Sequence, residues 1–125
     1  MDRIYHLLDL MGNPQKAVPC IHVAGTNGKG STSLIIASIL QQAGYRTGVY
    51  SSPHIHSYRE RFRINGQEIL YDDLLHDLAE VKRSVDSLHR QNGPIPTEFE
   101  ILTALGFKYF KNQQVDVLLL EAGLG

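Results

Sequence analysis

Hydrophobic positions along the chain change period several times, and each change marks an element. Ile4, Leu7, Leu8 and Met11 recur at i, i+3, i+4 and i+7, which predicts an amphipathic helix ending at Gly12-Asn13-Pro14. Cys20-Ile21-His22-Val23-Ala24 is short, mostly apolar and partly β-branched, the pattern of a buried strand. Beyond a glycine-rich stretch, Leu34, Ile35, Ala37, Ser38 and Ala43 sit among apolar residues at helical spacings, with Gly44 placed as the C-terminal cap. Thr47-Gly48-Val49-Tyr50 predicts a second strand. Strand, helix and strand in this order imply a right-handed parallel crossover, whose ligands lie at the strands' carboxyl ends.

The second half of the chain reads as clearly. The stretch from Ser51 to Arg61 is polar and without apolar period, a loop directly after the second strand. Phe62-Arg63-Ile64 and Glu68-Ile69-Leu70 flank Asn65-Gly66, a two-residue hairpin signal. Leu74, Leu75, Leu78, Val81, Val85 and Leu88 trace one face of a long helix, its charged residues a solvated face, ended by Asn92-Gly93-Pro94. Thr97 and Glu100 have capping-box spacing at the head of a further helix with Ile101, Leu102, Leu105 and Phe107 as core candidates. Val115 to Leu120 is a nearly continuous apolar run, the mark of a strand covered on both faces, and it delivers Glu121 to the sheet's carboxyl edge.

The turn between the first strand and its helix carries the chemistry. In Val23-Ala24-Gly25-Thr26-Asn27-Gly28-Lys29-Gly30-Ser31-Thr32, three glycines let backbone N–H groups converge on phosphate oxygens at the positive end of a helix. Lys29 adds a mobile positive charge. The strict phosphate-loop pattern asks for glycine where Val23 stands and a hydroxyl where Gly30 stands, so the strand–helix setting, not the spacing alone, supports the reading. A capped turn without a ligand is the competing account.

Composition narrows the classes. A length of 125 residues with 42% hydrophobic content fits about one soluble domain. A net charge of −1 with no dense basic run argues against nucleic acid as a partner. No apolar stretch has membrane-spanning length, and Met1-Asp2-Arg3 does not open a signal peptide, so the expected location is the cytoplasm. The single cysteine, Cys20, is expected to be a buried thiol. His54 and His56 form an H-x-H pair without the further ligands a zinc site needs.

Four segments, Ala24 to Thr32, Tyr50 to Arg61, Thr97 to Glu100 and Leu118 to Gly125, closely resemble the ATP-binding half of bacterial folylpolyglutamate and dihydrofolate synthases of the Mur ligase superfamily. The cradle G-T-N-G-K-G-S is similar to that superfamily's own variant, and Tyr50-Ser51-Ser52-Pro53-His54 followed by Glu60-Arg61 resembles the folate branch. The resemblance implies an α/β fold with a P-loop NTPase-like parallel sheet, flanking helices and a small β-hairpin, of the Mur ligase central-domain type. Residues 1–125 would then be an incomplete fragment, the N-terminal portion of the ATP-binding domain, with the C-terminal glutamate-ligase domain absent.

It further implies that Asn27, Gly28, Lys29, Gly30 and Ser31 bind nucleotide phosphates, Lys29 acting catalytically, and that Ser52 and Glu121 are magnesium ligands. Thr97, Glu98, Phe99 and Glu100 match a stretch lining the pterin-bearing substrate site, although Glu98 replaces the family's more usual aromatic or hydrophobic residue. The implied reaction is ATP-dependent addition of L-glutamate to folate or dihydropteroate through an acyl phosphate, by a protein that is monomeric at full length. On that reading the fragment alone is inactive. A Mur-type peptide ligase and a non-catalytic nucleotide-binding module are the alternatives.

Overall fold

The computed structural model describes residues 2–24, 29–51 and 57–122, with backbone only at 2, 3, 24, 29–31 and 122. Five strands and four α-helices are described: α1 Asp2–Leu10, β1 Cys20–Ala24, α2 Lys29–Gln42, β2 Thr47–Ser51, β3 Phe62–Ile64, β4 Gln67–Glu68, α3 Tyr71–Arg90, α4 Glu98–Asn112 and β5 Val117–Ala122. Two short 3₁₀ turns, Pro14–Ala17 and Tyr58–Arg61, lie within stretches where the sequence predicts only irregular chain. The chain divides into a helical unit, residues 1–17 and 72–113, and a sheet unit, residues 18–71 and 114–125.

In the sheet unit the strand order is β1-β5-β2-β3-β4. The predicted crossover places β1 and β2 parallel, but they are not neighbours. The last strand, β5, enters between them and pairs in parallel with both. Its Leu118 and Leu119 are fully buried, which explains the nearly continuous apolar run: a central parallel strand has no face to show to water. β5 begins at Val117, two residues later than the apolar run, and continues through Ala122. The hairpin extends the same sheet, because β3 pairs antiparallel with β2. Asn65 (φ 48°) and Gly66 (φ 82°) form its turn in the left-handed region that a two-residue connection demands. Asn65 also ties the turn to β2, its Oδ1 accepting from Thr47 N at 2.9 Å and its own N–H donating to Thr47 O at 2.9 Å. Ile69 and Leu70 lie outside β4, and Ile69 is fully buried while Leu70 is exposed. Cys20 is half-buried, not buried, and partial burial pushes its thiol pKa up.

The helical unit packs α1 and the Pro14–Ala17 turn against α4 around Leu7, Leu105 and Phe110. The sequence reading names Phe107 as core, but Phe107 is half-buried and Phe110, one turn on, is fully buried. The solvated charged face expected of α3 needs a correction. Asp77 is only 4% exposed, while Leu75 and Leu78 of the predicted apolar face are exposed. Asp77 is held by Asn112 Nδ2 of α4 at 3.3 Å and by the His76 ring at 3.0 Å, and Lys108 of α4 pairs with Glu80. The buried carboxylate on α3 is therefore met by a neighbour on its own helix and by an amide of the next helix, α4.

His76 Nδ1 faces Asp77 and its Nε2 lies 3.5 Å from Glu80. The hydrogen bond to Asp77, then the Glu80 charge, raises the imidazolium pKa above its ordinary value. A raised folded-state pKa means that protonated His76 stabilises the fold below the ordinary value of about 6.5, and that this contribution is lost as pH rises through the higher folded-state value. His76→Gln should therefore lower stability in mildly acid solution and leave it unchanged in alkaline solution. Urea unfolding of both proteins across that range checks this, and a difference independent of pH would refute it.

Candidate active site

The site is built where three parallel strands end together. β1 stops at Ala24, and α2 starts at Lys29, so only four residues separate a strand terminus from the amino end of a helix. β2 stops at Ser51 and β5 at Ala122. Across the sheet, Val23, Glu121 and Ser51 are register neighbours, with Glu121 in the middle. In-register residues of parallel strands point to the same face, so the Glu121 carboxylate, half-buried, shares a face with Val23 and Ser51. This carboxyl edge is where α/β sheets take their ligands.

Asn27, Gly28 and Ser52 lie outside the described residues, as do His54 and His56. Lys29, Gly30 and Ser31 form the first turn of α2, where backbone N–H groups have no partner within the helix and the dipole favours an anion. α2 packs on β1, β5 and β2 through Ser33 and Ala37, both buried, so small side chains hold the helix close to the sheet. Among the described residues no three His, Cys, Asp or Glu side chains are grouped to hold a metal ion. A cation at this edge would meet the Glu121 carboxylate, and magnesium commonly keeps few protein ligands.

Within the polar stretch that follows β2, residues 57–61 form a capped turn. Ser57 caps the Tyr58–Arg61 turn, its Oγ accepting from Arg59 N at 3.2 Å, while the Glu60 carboxylate accepts from Ser57 N at 3.0 Å. Arg59 Nε donates to Ile69 O at 2.7 Å and pins this turn to the hairpin's exit. The Ser-x-x-Glu spacing of Ser57 and Glu60 is the capping-box signal, present in the sequence within a segment whose polarity reads as irregular chain.

Thr97 to Glu100 belong to the helical unit. Thr97 is the N-cap of α4, and its Oγ1 accepts from Glu100 N at 3.2 Å; the Glu100 carboxylate accepts from Thr97 N at 2.9 Å and Thr97 Oγ1 at 3.1 Å. Glu100 is buried, whereas Phe99 and Glu98 are exposed. The capping role is therefore real. Thr97→Ala should cost about 1 kcal/mol of stability, within the 0.5–2 usual for a lost cap, and Thr97→Ser should retain most of it. Chemical unfolding of the two variants decides between them, and equal losses would contradict the cap.

Comparison with known proteins places this geometry. No family model matches the chain. The dihydrofolate synthase/folylpolyglutamate synthase of Bacillus subtilis is 41% identical over 126 residues, covering 100% of this chain and 29% of that protein. A Mycobacterium tuberculosis folylpolyglutamate synthase solved with ADP superposes with a TM-score of 0.91 at 37% identity, over 99% of this chain and 28% of its own. The chain is similar throughout its length to folylpolyglutamate and dihydrofolate synthases. A third member, a folylpolyglutamate synthase solved with AMPPCP and folate, gives a TM-score of 0.92 at 42% identity, over 98% of this chain and 30% of its own. The chain thus spans somewhat under a third of the synthases it matches, and the five-stranded, mostly parallel sheet is the fold that these synthases share with it.

Proposed function

We propose that the protein carrying this chain is an ATP-dependent carboxylate–amine ligase that adds L-glutamate to a folate or to dihydropteroate. The observation that carries the reading is the shared carboxyl edge: Ala24, Ser51 and Ala122 end three adjacent parallel strands beside the amino end of α2, with Glu121 one residue before the end of the middle strand. Its likeness, across nearly the whole chain, to a synthase solved with an ATP analogue and folate supports the choice of substrates. That likeness also favours a folate acceptor over a peptide acceptor. In this reading residues 1–125 are the N-terminal portion of the ATP-binding domain, and the glutamate-ligase domain lies elsewhere in the full-length protein.

The backbone of Asn27, Gly28, Lys29, Gly30 and Ser31 holds the nucleotide phosphates at the start of α2, and the Lys29 ammonium balances charge on the γ-phosphoryl group as it passes to the folate carboxylate. The amine of glutamate then attacks the resulting acyl phosphate, the new C–N bond forms and phosphate leaves. Ser52 and Glu121 would hold magnesium, which supplies charge neutralisation at the phosphates. Phe99 and Glu98, exposed at the head of α4, offer contacts to the pterin side, with Thr97 and Glu100 fixing the backbone that presents them.

A full-length protein carrying this chain, given ATP, magnesium, glutamate and either dihydropteroate or tetrahydrofolate, is expected to release ADP and phosphate with a product one glutamate longer. The 125-residue chain alone is expected to form none. Transfer to a cell-wall peptide precursor instead of either pterin would overturn the substrate assignment, and turnover by the isolated chain would overturn the need for the second domain.

A further inference from the structure

α3 turns one seam inward. Asp77, Val81, Ser84 and Leu88 recur at steps of four and three, so they share one face of the helix. Val81 and Leu88 are buried, and Asp77 is closed off with Asn112 of α4, but Ser84 is only half-buried. A serine at this place in the seam is too small to fill the space that an aliphatic side chain would occupy. Ser84 lines a hollow of about 330 Å³ in the helical unit. Leu10 and Met11, where α1 ends, supply its apolar part.

The charges around this hollow do not cancel. Arg83 and Ser87 of α3 line it beside Glu80, and Lys108 reaches it from α4. One oxygen of the Glu80 carboxylate is met by Lys108, and the other lies 3.5 Å from His76 Nε2. An ammonium has three donors, so Lys108 keeps two after this pairing, although its side chain is only 18% exposed. Arg83 makes no ion pair among the described residues, which leaves its guanidinium as a second cation with donors to spare. Ser87 Oγ accepts from Gln91 Nε2 at 3.4 Å and keeps its own proton to donate. Two cations, two hydroxyls and one carboxylate that is already paired make a donor-rich lining of net positive charge.

We propose that this hollow binds a small phosphate monoester, with the phosphate held by Arg83, Lys108 and the Ser84 and Ser87 hydroxyls and a short apolar group resting on Leu10 and Met11. A tetrahedral dianion presents three terminal oxygens to two cations and two hydroxyls, whereas a flat carboxylate presents only two. A volume of about 330 Å³ is near the lower limit of small-molecule sites and favours a ligand of a few carbon atoms over a nucleotide. Such a ligand touches residues of α1, α3 and α4 at once, so binding ties the three helices together. None of the lining residues belongs to the sheet unit that carries the glycine-rich cradle, and the site is therefore independent of the reaction assigned above.

The test titrates n-propyl phosphate into the full-length protein by calorimetry, with ADP at saturation to occupy the nucleotide site proposed above. One site with a Kd below about 1 mM is expected, a strength within reach of a ligand of so few atoms. The melting temperature should rise with the ligand, since it binds the folded state. Arg83→Gln, at an exposed position of α3, should weaken binding by about tenfold or more while the melting temperature of the free protein stays as it was. Ser84→Leu should fill the hollow and abolish binding without lowering the melting temperature. Should Ser84→Leu fail to fold, Arg83→Gln decides alone. No detectable binding overturns the proposal, and so does binding that Arg83→Gln leaves unchanged. Propionate binding as tightly as propyl phosphate would overturn the ligand class in favour of a carboxylate. Inorganic phosphate binding as tightly as propyl phosphate would mean an adventitious ion only, and equally overturn it.

Discussion

Glu121→Gln in the full-length protein is expected to raise the magnesium concentration needed for half-maximal activity in the proposed reaction by about tenfold or more, while the protein remains folded. Even partners one shell removed from a metal typically change its affinity by about 10–100-fold, so a carboxylate that touches the ion should matter at least as much. Gln keeps the size and shape of the side chain and removes only its charge. The position is sensitive because Glu121 sits on the central strand, half-buried, between Val23 of β1 and Ser51 of β2. Ser52→Ala should act in the same direction but less strongly, a neutral hydroxyl being the weaker ligand and one that water can replace. Since both would serve one ion, the double variant should depart from the sum of the single effects. Magnesium titrations of ADP release provide the measurement, with circular dichroism as the control for folding. Titration curves that superimpose for the wild type and Glu121→Gln would remove Glu121 from the metal site.

Lys29→Ala is expected to weaken ATP binding by about one to two orders of magnitude in the full-length protein, the equivalent of the roughly 1.5–3 kcal/mol that a hydrogen bond to a charged group contributes. Lys29 is the first residue of α2, and the helix packs against all three parallel strands, so the backbone that carries the lysine is held in place by the sheet. Removing the ammonium should therefore change charge at the phosphates without moving the helix. The effect should be larger for ATP than for AMP, because the lysine is assigned to the terminal phosphates. Calorimetry with both nucleotides on a folded variant provides the check. Equal losses for the two would place Lys29 away from the terminal phosphates, and no loss for either would remove it from the site.

Both predictions show how far local sequence carries. The first-turn position of Lys29 was legible because a strand pattern stops, glycines intervene and a helical period begins within ten residues. Thr97 and Glu100 were legible as a cap for a similar reason, since the box is closed by residues three apart and needs nothing distant. The hairpin at Asn65-Gly66 follows from two residues that tolerate positive φ. The resemblance of four short segments pointed to the same synthases that the whole chain is similar to.

What no local pattern could supply was order in space. The helix after β1 returns the chain to a parallel β2, but whether the two strands touch depends on a segment more than sixty residues away, and β5 takes the place between them. Nor does α3 by itself show that Asp77 is buried and accepts a hydrogen bond from Asn112 of α4, 35 residues further on. The exposure of Leu34, Ile35 and Ile39 is equally invisible in the sequence, where they read like any apolar helix positions. The sequence alone determined where strands, helices and caps form, because hydrogen bonds and side-chain periodicity over a few residues decide those. Only the tertiary structure decided that Glu121 stands in register with Ser51 and Val23, because strand pairing is settled by which buried surfaces fit together, not by their distance along the chain.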